Sequence, residues 1–188
     1  KYVFLEVLRN LQNTKYREKR MLESLYPDKY LKSVDEIDFE EYYKQGIRGI
    51  ISDIDNTLVP HGAPADEHII NVFEKIHQLG IETCLISNNK EPRVKPFADA
   101  VNSKYIFDAH KPSKKNYIKA MKIMGTNEET TLFLGDQIFT DVWGANRVGI
   151  KSIMVEKINP KEEIQIVLKR IPEKFILWNW RRKNKKSK

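Results

Sequence analysis

Acidic side chains follow two apolar segments of this sequence in a pattern that suits the binding of a cation and a phosphate. Asp53 and Asp55 flank one residue directly after the apolar run at 49–52, and Asp136 follows the run at 130–134. Carboxylates held close together repel one another unless a cation neutralises them or one carries a proton. Oxygen ligands suit Mg²⁺, which takes few carboxylates and completes its shell with water and substrate phosphate.

Ser87 and Lys111 add the groups that bind phosphate oxygens, a hydroxyl donor and a positive charge. An aspartate can attack phosphorus to form an aspartyl-phosphate, and a neighbouring carboxyl group can protonate the leaving group and then activate water. These residue types therefore favour phosphoryl transfer. A calcium-binding loop is excluded, because its sixth and twelfth positions require Gly and Glu but are Leu58 and Pro64 here.

Apolar runs alternate with helical patterns along the middle of the chain. Strands are predicted at residues 49–52, 81–86, 105–107, 130–134 and 151–155, and helices at residues 66–79, 91–101, 113–124 and 140–148. Asp66 and Ser113 are the predicted N-caps, and Gly80 and Gly149 are the predicted stops. The alternation predicts an α/β fold, a three-layer Rossmann-like parallel sheet with helices on both faces.

Polar residues follow the strands of this predicted sheet. In such an architecture the ligand lies beyond the carboxyl ends of the strands. Four segments deliver carboxylates, hydroxyls, amides and an ammonium group to that edge: Asp53, Asp55 and Thr57; Ser87, Asn88 and Asn89; Lys111; and Asp136 and Asp141. We expect these side chains to form one site.

The four segments, in this order, resemble the motifs of the haloacid dehalogenase (HAD) superfamily. They read Asp53-Ile-Asp-Asn-Thr57, Ile86-Ser87-Asn88, Lys111-Pro112 and Gly135-Asp136-Gln137-x-x-Thr140-Asp141. The resemblance implies that Asp53 is the nucleophile and Asp55 the general acid/base. Ser87 and Lys111 are implied as catalytic residues that bind phosphate, and Thr57 and Asn88 join that phosphate-binding group. Mg²⁺ is implied at Asp53, the Asp55 backbone carbonyl and Asp136, with Asp141 as a supporting carboxylate.

The second carboxylate, Asp55, favours the phosphatase branch of this superfamily, because the dehalogenase branch lacks that acid/base. Only 29 residues separate Thr57 from Ser87, and only 23 separate Ser87 from Lys111. Neither gap holds a cap domain in addition to the core elements. We therefore expect an uncapped, class III enzyme with an open site, which suits a large substrate or one presented by a surface.

Further segments resemble the YqeG-type HAD phosphatases, which are similar to the phosphatidylglycerophosphate phosphatases. They are Leu25-Tyr-Pro-Asp28, Gly46-Ile-Arg-Gly-Ile50 and Asp55-Asn-Thr-Leu-Val-Pro60. This implies a Mg²⁺-dependent phosphomonoester hydrolase that acts through an aspartyl-phosphate on a membrane phospholipid such as phosphatidylglycerophosphate. Two alternatives stay open: a HAD phosphatase of a soluble phosphorylated metabolite or protein, and a non-catalytic peripheral adaptor that binds membrane or RNA.

The sequence divides into an amphipathic helical N-terminal segment (1–45), a HAD-like core (46–160) and a C-terminal helix with a basic, Trp-containing tail (161–188). Two apolar stripes mark the flanks: Phe4, Leu5, Leu8 and Leu11; and Ile164, Val167, Leu168 and Ile171, which Pro172 interrupts. Residues 169–188 hold nine Lys or Arg and one acid, Glu173. Tryptophan beside cations is typical of a membrane interface, so we expect the tail to bind an anionic membrane surface. Packing of the flanking segments on the core, a solvated tail and nucleic-acid binding stay open as alternatives.

Composition is that of a soluble globular domain: 188 residues, 40% hydrophobic and 31% charged. No apolar run reaches the roughly 20 residues of a spanning helix. The single cysteine, Cys84, excludes an internal disulfide and favours a cytoplasmic location. The basic tail adds the expectation of a peripheral position on the inner face of the membrane. The net charge of +7 is concentrated in the tail, which disfavours a nucleic-acid binder. No signal peptide is visible.

Overall fold

The architecture is a parallel α/β sheet, seen in a computed structural model that describes residues 17, 19–159 and 164–185. The six strands are β1 (Lys29–Leu31), β2 (Gly49–Ser52), β3 (Glu82–Ile86), β4 (Lys104–Ile106), β5 (Thr131–Gly135) and β6 (Lys151–Val155). Their order across the sheet is β1-β6-β5-β2-β3-β4, and every pair is parallel. The predicted Rossmann-like fold class is confirmed.

Helices cover both faces of the sheet. They are α1 (Phe39–Lys44), α2 (Glu67–Gln78), α3 (Glu91–Ala100), α4 (Lys114–Met124), α5 (Trp143–Val148) and α6 (Ile164–Lys185), with a 3₁₀ turn at Val34–Glu36 and a π-helical turn at Ile138–Val142. Successive residues of a strand point to opposite faces. Ile50 of β2 accordingly packs in the cluster that contains α2 and α3, and Ile51 in the one that contains α4 and α5.

Helix boundaries agree with the local signals in the sequence. The Asp66 side chain accepts a hydrogen bond from the backbone N–H of Ile69, and caps α2 as predicted. Ser113 precedes α4, but its side chain makes no capping hydrogen bond. Gly149 follows α5 with φ of 83°, a left-handed conformation that glycine adopts without strain.

The sheet has one strand more than the sequence pattern predicts. β1 lies within residues 1–45, where a helical segment was predicted, and pairs with β6 in the register Lys29↔Ile153. Three residues show no readable alternation, so the strand depends on its long-range partner. The predicted stripe of Phe4, Leu5, Leu8 and Leu11 lies outside the described residues.

The C-terminal helix continues through Pro172, the residue at which the predicted apolar stripe is interrupted. A proline inside a helix costs about 3 kcal/mol. Residues beyond it compensate, because Ile176 and Leu177 are buried against Ile138, Val142 and Met154. The side chains at 164–169 and 185 and residues 186–188 lie outside the description, together with those parts of the predicted apolar stripe and basic tail.

The connections near the carboxyl edge of the sheet are short. One helix, α2, lies between β2 and β3, and one helix, α3, between β3 and β4. No separate cap domain is evident in the described part of the chain. Across those same residues, no helix combines the length and the hydropathy needed to cross a bilayer.

Candidate active site

The predicted site residues meet at the carboxyl edge of the sheet. Asp53 directly follows β2, and its backbone N–H donates to Leu134 O at 2.9 Å, which extends the pairing with β5. Ser87 follows β3, and Asp136 follows β5. A cavity of about 220 Å³ opens among these segments, lined by Asp53, Asp55, Asn56, His61, Ser87, Asn88, Asn89, Lys111, Gln137 and Thr140.

A buried lysine joins two of the carboxylates. Lys111 Nζ donates to Asp53 Oδ1 at 2.5 Å and to Asp141 Oδ1 at 2.7 Å. The Lys111 and Asp53 side chains are 4% and 8% exposed, and that of Asp141 is fully buried. Burial opposes the charge on Lys111, but Asp141 and Asp53 outweigh it and raise its pKa above the ordinary value. Lys111 therefore stays cationic.

Three carboxylates form a candidate metal centre. One oxygen from each of Asp53, Asp136 and Asp141 lies within 4.8 Å of the others, and all three residues are buried. Burial, together with the neighbouring carboxylates, raises the pKa values of Asp53 and Asp136 against the opposing effects of Lys111 and Arg170. Buried carboxylates with raised pKa values tend to keep their protons unless a cation is present. A group of ligands that are all oxygen atoms fits a hard divalent cation such as Mg²⁺, which would replace those protons. The geometry places the Asp141 carboxylate beside Asp53 and Asp136, the two carboxylates that the resemblance implies as metal ligands.

The Asp55 side chain turns away from this cluster. Its Oδ2 accepts a hydrogen bond from Asn89 Nδ2 at 2.6 Å. Its Oδ1 accepts bonds from Gly62 N at 2.7 Å and from Arg93 Nη2 at 2.9 Å. These bonds occupy the side chain, and the resemblance implies the backbone carbonyl of Asp55, not its carboxylate, as a metal ligand. Asn89 and Arg93 thus hold the second carboxylate beside the cavity.

Three smaller side chains lie around the two catalytic candidates. Ser87 Oγ accepts a hydrogen bond from Asn89 N at 3.1 Å, which leaves its hydroxyl hydrogen to donate. Asn88 Oδ1 accepts from the backbone N–H of Lys111 at 2.7 Å. Thr57 Oγ1 lies 3.4 Å from Asp53 Oδ2 and 3.3 Å from Asp136 Oδ1. Asn88 thereby positions Lys111, and Thr57 sits between two of the carboxylates.

Close packing fixes the segment that carries Asp141. A Cβ at Gly135 would meet Asp141 Cβ at 2.6 Å, so only glycine fits there. Asp141 Oδ2 accepts a hydrogen bond from Gln137 N at 3.1 Å. Tyr117 donates its hydroxyl to Thr140 O at 2.7 Å. The π-helical turn is therefore held from both sides.

The sequence interpretation missed two functional candidates on α6, Arg170 and Glu173. Arg170 Nη2 donates to Asp136 Oδ2 at 2.5 Å, and Glu173 Oε2 accepts from Arg170 Nη1 at 2.9 Å. Glu173 is the single acid in the basic stretch 169–188, and that isolation was the one available signal. Nothing local in the sequence marks Arg170.

The carboxyl edge of the sheet carries a net negative charge that one divalent cation would neutralise. Among the described residues, five buried carboxylates lie with three cations, which leaves two negative charges when all five are ionised. The carboxylates are Asp53, Asp55, Asp136, Asp141 and Glu173, and the cations are Lys111, Arg93 and Arg170. Burying unpaired charge is costly, so binding of a divalent cation is electrostatically favourable here.

Comparison with known proteins agrees with this geometry. The family description "Haloacid dehalogenase-like hydrolase" matches residues 2–155. A curated relative from Bacillus subtilis, named "Probable phosphatase YqeG", is 35% identical over 158 residues, which are 84% of this chain and 92% of that protein. The chain therefore belongs to the haloacid dehalogenase-like hydrolases. The prediction of an enzyme of the phosphatase type is confirmed at this level.

Solved structures show the same fold at low sequence identity. A protein from Streptomyces avermitilis, assigned provisionally to the HAD family hydrolases, superposes with a TM-score of 0.51 at 13% identity, covering 61% of this chain and 75% of that chain. A hypothetical protein from Xanthomonas campestris gives 0.50 at 14% identity, covering 68% and 74%. These two structures support the fold assignment alone.

Proposed function

We propose that the chain is a Mg²⁺-dependent phosphomonoester hydrolase that forms an aspartyl-phosphate at Asp53. The observation that carries this proposal is the buried set in which Lys111 holds Asp53 at 2.5 Å while Asp136 and Asp141 lie close enough to share a cation. An aspartate placed this way has one oxygen held by an ammonium group and a second left for attack on phosphorus.

Phosphate binding falls to the groups around Asp53. Lys111 supplies a positive charge and Ser87 a hydroxyl donor, and both line the cavity. Asn88 fixes the Lys111 backbone, so it acts in phosphate binding at least through that lysine. Thr57 lies between Asp53 and Asp136, and its hydroxyl group would donate to a carboxylate oxygen or to a phosphate oxygen.

The reaction has two steps. An Asp53 oxygen bonds to phosphorus while the ester P–O bond breaks, and Asp55, in the form that carries a proton, gives that proton to the departing alkoxide. Asp55 then takes a proton from water as the water oxygen attacks phosphorus, which releases phosphate and regenerates the Asp53 carboxylate. When bound by Asp53, Asp136 and the Asp55 carbonyl, with Asp141 nearby, Mg²⁺ would neutralise charge on the phosphoryl oxygens.

A membrane phospholipid such as phosphatidylglycerophosphate is the substrate we infer within this class, because α6 carries a suitable docking face. Ile171, Phe175 and Trp178 are 69%, 61% and 50% exposed and lie at helical spacing on one side, followed by Arg182. We name these four residues the α6 docking face. The Arg182 guanidinium lies 4.5 Å from the Trp178 ring centre.

This combination suits the surface of an anionic bilayer. Aromatic side chains settle at the interface between headgroups and acyl chains. Each nearby Lys or Arg contributes about 1 kcal/mol on an anionic leaflet. The resemblance to phosphatidylglycerophosphate phosphatases points to the same surface, and a peripheral location on an inner leaflet belongs to this proposal.

Vesicles that contain phosphatidylglycerophosphate test the proposal. Wild-type protein with Mg²⁺ should release inorganic phosphate, and Asp53→Asn should release none. The double variant Phe175→Ser/Trp178→Ser should lose turnover on vesicles but keep turnover of a short-chain, soluble analogue. Vesicle binding should fall as NaCl screens the basic side chains.

The alternatives give different results. Efficient hydrolysis of soluble phosphate esters with no lipid turnover would assign the enzyme to a soluble metabolite or protein. Protein that binds vesicles or RNA but hydrolyses no phosphomonoester would favour the adaptor and contradict the proposed function.

A further inference from the structure

Two residues of α6 grip the loop that carries Asp136. Arg170 Nη1 donates to the backbone O of Asp136 at 2.7 Å, and its Nη2 donates to Asp136 Oδ2 at 2.5 Å. Glu173 Oε1 accepts from the backbone N–H of Ile138 at 2.7 Å. Arg170 also donates to Glu173 at 2.9 Å. The pair therefore holds the loop through Asp136 and Ile138, on both sides of Gln137, and we call this arrangement the clamp.

Stability alone is a weak reason for this arrangement. The Arg170 side chain is 13% exposed, and the Asp136 side chain is fully buried. Desolvating two charges costs several kcal/mol per ion, and buried ion pairs often do no better than apolar residues of similar volume. A clamp placed on a candidate metal ligand points instead to a role in orienting that ligand.

The two oxygens of Asp136 have different neighbours. Arg170 holds Oδ2, whereas Oδ1 faces Thr57 Oγ1, which also lies near Asp53 Oδ2. The guanidinium thus turns one carboxylate oxygen towards the side where the other candidate ligand lies. Mutation of the residues that hold metal ligands in place typically lowers metal affinity about 10- to 100-fold.

We propose that Arg170, braced by Glu173, is a positioning residue for the divalent cation at Asp136. The inference rests on the proposed metal-dependent function and extends it to α6. Both residues lie beyond the residues 2–155 that match the family description. The C-terminal helix that presents the α6 docking face therefore also completes the metal centre.

Electrostatic repulsion between Arg170 and the metal cation would have the opposite effect on metal affinity. A guanidinium beside a carboxylate repels a second cation, and in that case its removal would tighten metal binding. Orientation and repulsion predict changes of opposite sign, so the dissociation constant of the metal distinguishes them.

Mn²⁺ titration of the full chain, followed by the electron paramagnetic resonance signal of free Mn²⁺, measures that constant without turnover. Arg170→Met keeps the length of the side chain but removes the clamp. We expect its Kd for Mn²⁺ to rise about 10- to 100-fold. Glu173→Gln keeps an oxygen for the Ile138 N–H but loses the charge, so its Kd should rise by a smaller factor.

Lys174→Met is the matched control. Lys174 is exposed and lies about one helical turn after Arg170, so the variant removes one positive charge without touching the clamp. Its Kd should stay within about twofold of wild type, since an exposed charge is well screened. Circular dichroism and the metal-free unfolding midpoint check that each variant folds. If Arg170→Met does not fold, Glu173→Gln decides the question.

Three results would overturn the inference: an Arg170→Met affinity equal to that of Lys174→Met, tighter binding by Arg170→Met, or no Mn²⁺ binding by wild type. Failure of the proposed function looks different. Wild type would then bind Mn²⁺ and show the Arg170 effect but hydrolyse no phosphomonoester.

Discussion

The two edges of the sheet each carry a cavity and an ion pair. The larger cavity lies beside the exposed pair, and the smaller cavity lies beside the buried pair. At the amino edge, a cavity of about 710 Å³ is lined by residues that include His77, Glu82 and Lys104. The Lys104–Glu82 pair there is 41% and 52% exposed. At the carboxyl edge the cavity is about 220 Å³, yet the Lys111–Asp53 pair is almost fully buried.

Burial of the charged side chains, rather than the volume of the cavity, distinguishes the candidate active site from the other edge. Exposed pairs are screened by water and contribute little, whereas charges in a poorly solvated site interact strongly. In a parallel sheet, the carboxyl ends of strands β2, β3 and β5 bring loops together. The smaller cavity is therefore where phosphoryl transfer is expected, and the larger one is a surface groove.

The largest contrast between the edges should be catalytic. Asp53→Asn removes the nucleophile and should lower kcat for phosphomonoester hydrolysis by at least about 1,000-fold. Glu82→Gln makes the same chemical change at the amino edge and should leave kcat within about twofold. Steady-state phosphate release measures both variants. Comparable losses in the two would erase the proposed difference between the edges.

Lysine substitutions should separate the edges in stability. Lys111→Met leaves Asp53 and Asp141 buried without their cation, which should lower the free energy of unfolding by about 3–5 kcal/mol. Lys104→Met breaks an exposed pair and should cost at most about 1 kcal/mol. Urea unfolding followed by circular dichroism gives both values, and equal costs would mean that Lys111 is better solvated than the structure indicates.

Glycine substitutions should give a smaller contrast. Gly135→Ala drives a Cβ to 2.6 Å from Asp141, which Lys111 holds in place, so we expect a loss of about 1–3 kcal/mol in unfolding free energy. At the amino edge, Gly49→Ala meets the ends of the Thr126 and Met124 side chains at 2.9–3.0 Å.

The Met124 methyl group can shift, whereas the short Thr126 side chain is held by a hydrogen bond from Thr131, so Gly49→Ala should cost about 1 kcal/mol, less than Gly135→Ala. Thermal unfolding of the two variants side by side measures the difference. A larger loss at Gly49 than at Gly135 would argue against a rigid carboxyl edge.

The smallest effect concerns Cys84, which lies within β3 between the two edges. Burial raises the pKa of its thiol to about 12, so little thiolate exists at pH 8. We expect almost no iodoacetamide labelling of the native protein in an hour and full labelling in urea, measured by mass spectrometry. Rapid labelling of the native protein would show that the sheet interior opens readily.

Local signals in the sequence account for much of the fold. The apolar run at Gly49–Ser52, the Asp66 cap and the Gly149 stop reflect burial and backbone preferences that act over a few residues. β1 lacked such a signal, because three residues that pair with β6 draw their stability from a partner over one hundred positions away. Pro172 is accommodated within α6 for the same reason, since packing of Ile176 and Leu177 outweighs its local preference.

The candidate site divides in the same way. Asp53, Ser87, Lys111 and Asp136 were predictable, because strand ends in a parallel sheet converge on one edge. The contact of Arg170 with Asp136 was not, because it depends on how a separate helix docks. Likewise, the direction of the Asp55 side chain towards Asn89 and Arg93 depends on side-chain packing that spacing does not encode.

A rapid-quench experiment on the covalent intermediate tests the account most directly. Wild-type protein mixed with Mg²⁺ and ³²P-labelled substrate should carry label within the first turnover, released by hydroxylamine as expected for an acyl phosphate. Peptide mapping should place the label on Asp53, and Asp53→Asn should carry none. Turnover without protein-bound label, or label on another residue, would contradict the assignment of Asp53 as the phosphoryl acceptor.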